Sequence, residues 1–391
     1  VVEQGLGLVA EFFQAREHIA GGLFAVVDLR MRLLPAGAVQ QAAWFTVKQA
    51  LLSTILSIGA AVPVAIALQS LHAFPGRRLV LALFALPLSL PAIAASFGIL
   101  ALFGRSGWIA DMAAASGLSF RPDVYGLDGI LLAHVFFNMP LAVRMLTSAF
   151  DQIPADQFKL AETLRFGAME RSRHVLLPAM RQALPGIAGL VFLLCAGSYT
   201  IVLTLGGGPQ ATTLQVAIQQ ALSMDFDPGR AALLTLAQLA LTFVVLAAMP
   251  KSPPQAVGKG SIGTFRWHQP GTGETITSAL AIVLACLFVG LPLLALAASG
   301  LPADHVRFLG SDAFLQALMT STAIALASAV LAVSAAIAIA AAINAMQADG
   351  LGFRWIENAS LATLGIPPLL LGVGWFMLLA GLGSPFALAP V

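Results

Sequence analysis

The chain has 391 residues, 59% of them hydrophobic and only 10% charged, with a formal net charge of +2 and a mean hydropathy of +0.90. A water-soluble domain carries about 25% charged residues, so this chain has too little charge to coat a globule, and its net charge is too small to argue for nucleic acid. In lipid the backbone must satisfy its own polar groups, which limits spans to helices or a closed barrel. The apolar runs here are about 20 residues or longer and do not alternate, which selects helices and predicts an all-α, polytopic membrane protein.

In chain order, residues 1–37 are mixed and hold no run long enough to span. Spans are predicted at Trp44–Leu68, at Leu79–Phe103 (interrupted by Pro87 and Pro91), at Leu127–Phe150, at Ile187–Leu205 and at Ala231–Met249. Residues 210–230 read as a polar loop holding a short helix. Residues 251–277 are rich in Gly, Pro and Ser and read as a linker. Three more spans are predicted at Ser278–Ala298, Phe314–Ile343 and Trp355–Ala380. Cys195 and Cys286 lie inside apolar runs and give no disulfide framework. The chain opens on Val1 without a signal-peptide pattern and stops at Pro390-Val391, so a fragment truncated at both ends is expected.

Lys and Arg in short loops set orientation. With residues 151–186 in the cytoplasm, twelve of the 20 basic residues fall on that side and eight on the other. The chain also repeats itself. A shift of 275 residues lays the first predicted span on the seventh, with Thr46 on Ser321 and Ser53 on Ser328; a shift of 276 lays the second on the eighth, with Pro91 on Pro367 and Gly98 on Gly374. Two consecutive spans at nearly one offset read as a duplication. The expected organisation is a first half over 1–250, a cytoplasmic linker over 251–277 and a second half over 278–391. Transporters are often built from such repeats, with the path at their interface.

The longest polar interruption between apolar runs is Asp151–Gly186, where Lys159, Arg165, Arg171, Arg173 and Arg181 stand against Asp151, Asp156, Glu162 and Glu170. Ile153-Pro154 ends one helix and starts another. Phe158, Ala161, Leu164 and Arg165 recur at helical spacing, Gly167 breaks the run, and Val175, Leu176 and Leu177 give a second short apolar face before Pro178. A short helix with a small apolar face can dock in a groove on a soluble partner; the competing reading is an interfacial helix on lipid headgroups.

This segment resembles the cytoplasmic coupling loop of inner-membrane permeases of binding-protein-dependent ABC importers. The pattern there is Glu-Ala-Ala, three residues, Gly, nine residues, then Ile-x-Leu-Pro. Val175-Leu176-Leu177-Pro178 fits its end. Counting back, the glycine position falls on Arg165 and the Glu-Ala-Ala on Lys159-Leu160-Ala161, while Gly167 lies two residues late. Tyr125–Pro140 (YGLDGILLAHVFFNMP), Leu205–Thr213 (LGGGPQATT) and the Asp227–Ala232 segment are similar to the thiamine permeases of that importer family. Those permeases are fused pairs, which the internal repeat fits.

The resemblance implies a bacterial inner-membrane permease moving thiamine and its phosphate esters, with two copies of an ATP-binding subunit on the cytoplasmic side and a periplasmic thiamine-binding protein on the other. It assigns Leu160, Ala161, Glu162, Leu164, Arg165, Gly167, Val175, Leu177 and Pro178 to ATPase coupling. The rival cargo is ferric iron. The rival class is an ion-gradient-driven transporter, which the absence of mid-span carboxylates opposes.

Polar groups inside spans are functional candidates by default, although helix–helix hydrogen bonds account for many. His134 and Asn138 share a helix face and, with Gly207, are candidates for the translocation path. No phosphate-binding Gly-Lys-Ser/Thr loop, metal-ligand spacing or nucleophile triad is found. The expectation is a channel subunit, not an enzyme, without cofactor or metal.

Overall fold

The computed structural model describes residues 36–71, 73–120, 122–208, 211–249, 271–301, 305–349 and 356; among these there are helices and turns and no strands. Among the described residues, seven helical segments are long and apolar enough to cross a membrane.

The bundle is built around α1 (Ala36–Ser70). At 1.5 Å per residue, its 35 residues exceed the roughly 30 Å hydrocarbon core. Its buried side is made of small residues, with Ala50, Ala61, Ala65 and Ala67 at 2% exposure or less. Small residues let membrane helices approach closely, where packing replaces the hydrophobic drive that lipid cannot supply. Three helices lie along that side: α6 (Leu127–Asp151), α9 (Leu177–Ala196) and α13 (Thr272–Gly300).

The predicted second span is not one helix. The chain turns through α2 (Arg77–Leu83), α3 (Leu86–Ser89) and α4 (Ala92–Phe103). Leu90 is extended before Pro91, as the clash of a proline ring with the preceding residue requires. A short α5 (Trp108–Ala115) follows. By contrast α6 runs through Pro140 without a break.

The predicted fourth span is also different. It starts ten residues earlier, as α9, and stops at Ala196; a turn over Gly197–Tyr199 then leads into α10 (Thr200–Leu205). The short helix foreseen in 210–230 is α11 (Leu214–Ser223), packed on α12 (Pro228–Ala248) and on Ala42 of α1. Thr46 does two jobs at that junction: its hydroxyl donates to Ala42 O at 2.7 Å and accepts the Leu214 amide at 2.9 Å. This satisfies an N–H that the first turn of α11 would otherwise leave orphaned.

Beyond residues 250–270, α13 packs along α1 and α4. The α4 contact is close because of Gly98: a Cβ there would lie 2.6 Å from Pro292 O. The short α14 (His305–Leu309) and the long α15 (Asp312–Ala348) follow, and α15 buries none of its described residues. The predicted eighth span lies outside the described residues except for Ile356.

Candidate functional site

Two arrangements concern function: the charged segment at one end of the bundle and a polar seam inside it.

The segment is ordered as α7 (Ala155–Thr163), a turn, α8 (Ala168–Arg171) and a π-helical turn (Ser172–Leu176) that feeds α9. Its two faces divide cleanly. Phe158, Ala161, Val175 and Leu176 are buried in one cluster with Phe150 and Met180. Burying such side chains is worth about 1.5–3 kcal/mol for each of the large ones, so they anchor the segment to the end of the bundle. Leu160 and Leu164, four residues apart on the other face, are 59% and 56% exposed, and Met169 is 80% exposed. Lys159, Glu162 and Arg165 are exposed beside them. The residues assigned to coupling therefore separate: Ala161 and Val175 face inward, Leu177 is half-buried, and Leu160, Glu162, Leu164, Arg165, Gly167 and Pro178 face outward.

The turn after α7 sits at Arg165, not at Gly167. Arg165 has φ 53°, in the left-handed region. The Phe166 amide donates to Ala161 O and the Arg165 amide to Glu162 O, both at 2.9 Å. Those two bonds, six-to-one and five-to-two, define a Schellman ending with Arg165 at the left-handed position. That is the position the register counted back from Val175-x-Leu177-Pro178 reserves for glycine. Gly167 has an ordinary backbone (φ −70°) and starts α8, its amide donating to the Glu170 carboxylate at 2.7 Å.

An ion pair leaves the segment. Arg171 Nη2 lies 2.6 Å from Glu274 Oε1 and 2.8 Å from Oε2. The side chains are 16% and 14% exposed, and Glu274 stands in the first turn of α13. The isolated sequence gave no sign of this pair.

The seam lies between α1, α6 and α9. Ser53 Oγ is 2.9 Å from His134 Nδ1. The Gln49 amide nitrogen donates to Cys195 O at 3.0 Å. The Asn138 amide donates to His134 O at 2.9 Å and to Cys195 Sγ at 3.3 Å. Gln49 and Ser53 are fully buried, His134 is 1% exposed and Asn138 is 4% exposed. Three further atoms in these helices, Gln49 Oε1, Ser57 Oγ and His134 Nε2, are buried without a hydrogen-bond partner. The structure thus places His134 and Asn138 in helix packing. The partners Gln49, Ser53 and Cys195 were not singled out from sequence, although Gln49, Ser53 and Ser57 recur on α1 at intervals of four.

Gly207 sits apart from the seam. Its φ of +71° requires the freedom of glycine, and a Cβ would come within 3.2 Å of Tyr125 Cβ. Nearby, the Gly126 amide donates to Leu205 O at 2.8 Å. The glycine run therefore closes α10 against the start of α6. On the same stretch before α6, Arg105 Nη2 meets Asp123 Oδ2 at 2.7 Å. The Arg105 guanidinium, helped by the Tyr125 amide, holds the Asp123 carboxyl below its ordinary pKa.

The described residues thus form a helical membrane bundle with an amphipathic turn-helix at one end. Residues 49–251 match the family described as binding-protein-dependent transport system inner membrane component, and the chain belongs to that family, as a multi-pass inner-membrane transport component and not an enzyme.

Among curated relatives it is 45% identical over 349 residues to the thiamine transport system permease protein ThiP of Brucella abortus (strain 2308), covering 89% of this chain and 64% of the relative. It is 39% identical over 339 residues to the protein of that name from Escherichia coli (strain K12), covering 86% and 63%. A third, from Haemophilus influenzae, is 34% identical over 386 residues, covering 93% and 71%. The chain thus spans less than two thirds of the length of the first two.

Proposed function

We propose that this chain is the transmembrane permease of a bacterial ABC importer for thiamine and its phosphate esters, driven by ATP that a separate subunit hydrolyses. The observation that carries the cargo is the 45% identity, over 89% of the chain, to a thiamine transport permease. The partners in this reading are two ATP-binding subunits and a periplasmic thiamine-binding protein. The docking element is α7 with its turn. Phe158 and Ala161 hold it from within, so Leu160, Leu164, Glu162 and Arg165 are free to enter a groove on the ATPase. The halves on either side of residues 251–270 act as a pair, with the path between them. Gly207 borders the outer mouth of that path, and the seam of His134 and Asn138 lies behind its wall.

The test is reconstitution in liposomes with the ATPase and the binding protein, following labelled thiamine with ferric iron in parallel. ATP-dependent uptake of thiamine alone supports the proposal. Iron uptake would keep the architecture and overturn the cargo. Uptake that ignores ATP and follows an ion gradient would overturn both.

A further inference from the structure

The ion pair between Arg171 and Glu274 joins two parts of the chain with different tasks. Arg171 ends α8, one turn beyond the exposed docking face. Glu274 begins α13, the first membrane helix after residues 250–270, and α13 lies along α1 and α4 for much of its length. One guanidinium nitrogen reaches both carboxylate oxygens, at 2.6 and 2.8 Å. Among the described residues three other ion pairs have comparable length, and all three are more exposed. Arg105–Asp123 is 65% and 55% exposed, and Lys159–Asp156 is 55% and 85% exposed, whereas Arg171–Glu274 is 16% and 14% exposed. Exposed pairs are screened and hold little. A shielded, charge-assisted pair with two short bonds holds its geometry. Glu274 also stands in the first turn of its helix, where a negative charge is favoured.

We propose that Arg171–Glu274 is the joint through which the docking segment moves α13, and that it stays closed through the transport cycle. Arg171 and Glu274 are positioning residues in this scheme and touch neither nucleotide nor cargo. The segment is rooted in the bundle by Phe158, Ala161, Val175 and Leu176, so a push on α7 and α8 reaches the α1–α6–α9 bundle through those contacts. The ion pair gives the same push a second exit, into α13. Without it, motion of the segment would reach α13 only indirectly, through its packing on α1 and α4. The inference rests on the reading of α7 as the ATPase-docking element.

The experiment compares wild type, Glu274→Gln, Arg171→Gln and the exchanged pair Arg171→Glu with Glu274→Arg in proteoliposomes with both partners. Thiamine uptake and ATP hydrolysis are measured on the same samples. Each single variant is expected to keep hydrolysis while uptake per ATP falls about 5- to 150-fold, the usual span of a coupling energy. The exchanged pair is expected to recover most of that loss. A further variant with cysteine at both positions, tied by a short thiol–thiol linker, is expected to keep uptake. Single variants with unchanged coupling, a parallel fall of uptake and hydrolysis, or an exchanged pair and a linked pair that both stay uncoupled would overturn the joint. A cysteine at Leu164 provides the separate check on docking: if it fails to crosslink to the ATPase, the docking reading itself is wrong; if it crosslinks while the exchange and the linker fail, only the joint is wrong.

Discussion

Ser53 Oγ and His134 Nδ1 lie 2.9 Å apart and bond α1 to α6 in an interior that leaves Ser53 fully buried and His134 1% exposed. Side-chain hydrogen bonds between membrane helices are worth about 0.6 kcal/mol on average and up to roughly 1.7. Ser53→Ala leaves both ring nitrogens of His134 unpaired, since Nε2 already lacks a partner, and should lie at the upper end. Ser53→Ala combined with His134→Phe should cost less than the two single changes added, because removing both partners leaves nothing stranded. Thermal unfolding in detergent checks this, and strict additivity would show that the bond contributes nothing.

Two glycines test whether backbone or side chain sets the spacing of helices. At Gly98 the obstacle to a Cβ is Pro292 O at 2.6 Å, a backbone atom. At Gly189 it is Met249 Sδ, also at 2.6 Å, the far end of a flexible side chain. Gly98→Ala is expected to push α4 off α13 at the roughly 1–3 kcal/mol of an overpacked core. Gly189→Ala should cost well under that, because methionine re-packs readily. Equal losses in a denaturation series would refute the distinction.

The strained position at Arg165 makes a prediction of opposite sign. A left-handed residue with a Cβ carries about 1–2 kcal/mol, and glycine returns roughly 0.5–1 kcal/mol of that as backbone entropy. Arg165→Gly should therefore raise local stability by up to about 1 kcal/mol, while Arg165→Val should lower it, β-branching being worst at positive φ. Hydrogen exchange at the Phe166 amide, which closes the turn onto Ala161 O, reads both.

Asp123 offers a pH dependence. Its carboxyl is held low by Arg105 and by the Tyr125 amide. A depressed carboxylate stabilises the folded form above its ordinary value of about 3.9, and that contribution is lost as pH falls through the lower folded value. Both partners are more than half exposed, so the effect is small and salt-sensitive. Protease cleavage between residues 116 and 125 should rise below about pH 4, and Asp123→Asn should remove the step.

Much of this was legible before any coordinates. Lack of charge and the length of the apolar runs were enough for a helical membrane bundle, because lipid leaves the backbone no other choice. The turn that ends α7 was legible in register: Val175-x-Leu177-Pro178 counts back to Arg165, and the backbone turns left-handed there. What misled was residue identity, since Gly167 looked like the breaker and is the start of α8. The splitting of the second predicted span at Leu90-Pro91 was present only as a pair of prolines, a signal that α6 shows to be ambiguous, since it continues through Pro140. Arg171–Glu274, Ser53–His134 and Asn138–Cys195 were invisible because they join positions 103, 81 and 57 apart in sequence, which no local periodicity encodes.

The packing of Gly98 against Pro292 also bears on how the protein is made. The α4 surface is synthesised about 200 residues before the α13 surface that covers it, which at ribosomal rates of roughly 5–20 residues per second is a delay of about 10–40 s. During that time the notch at Gly98 lacks the Pro292 backbone that fills it in the folded chain. A substitution that fills the notch would therefore act at birth as well as at equilibrium: a bulkier side chain at Gly98 would favour whichever neighbour arrives first over the one that belongs there.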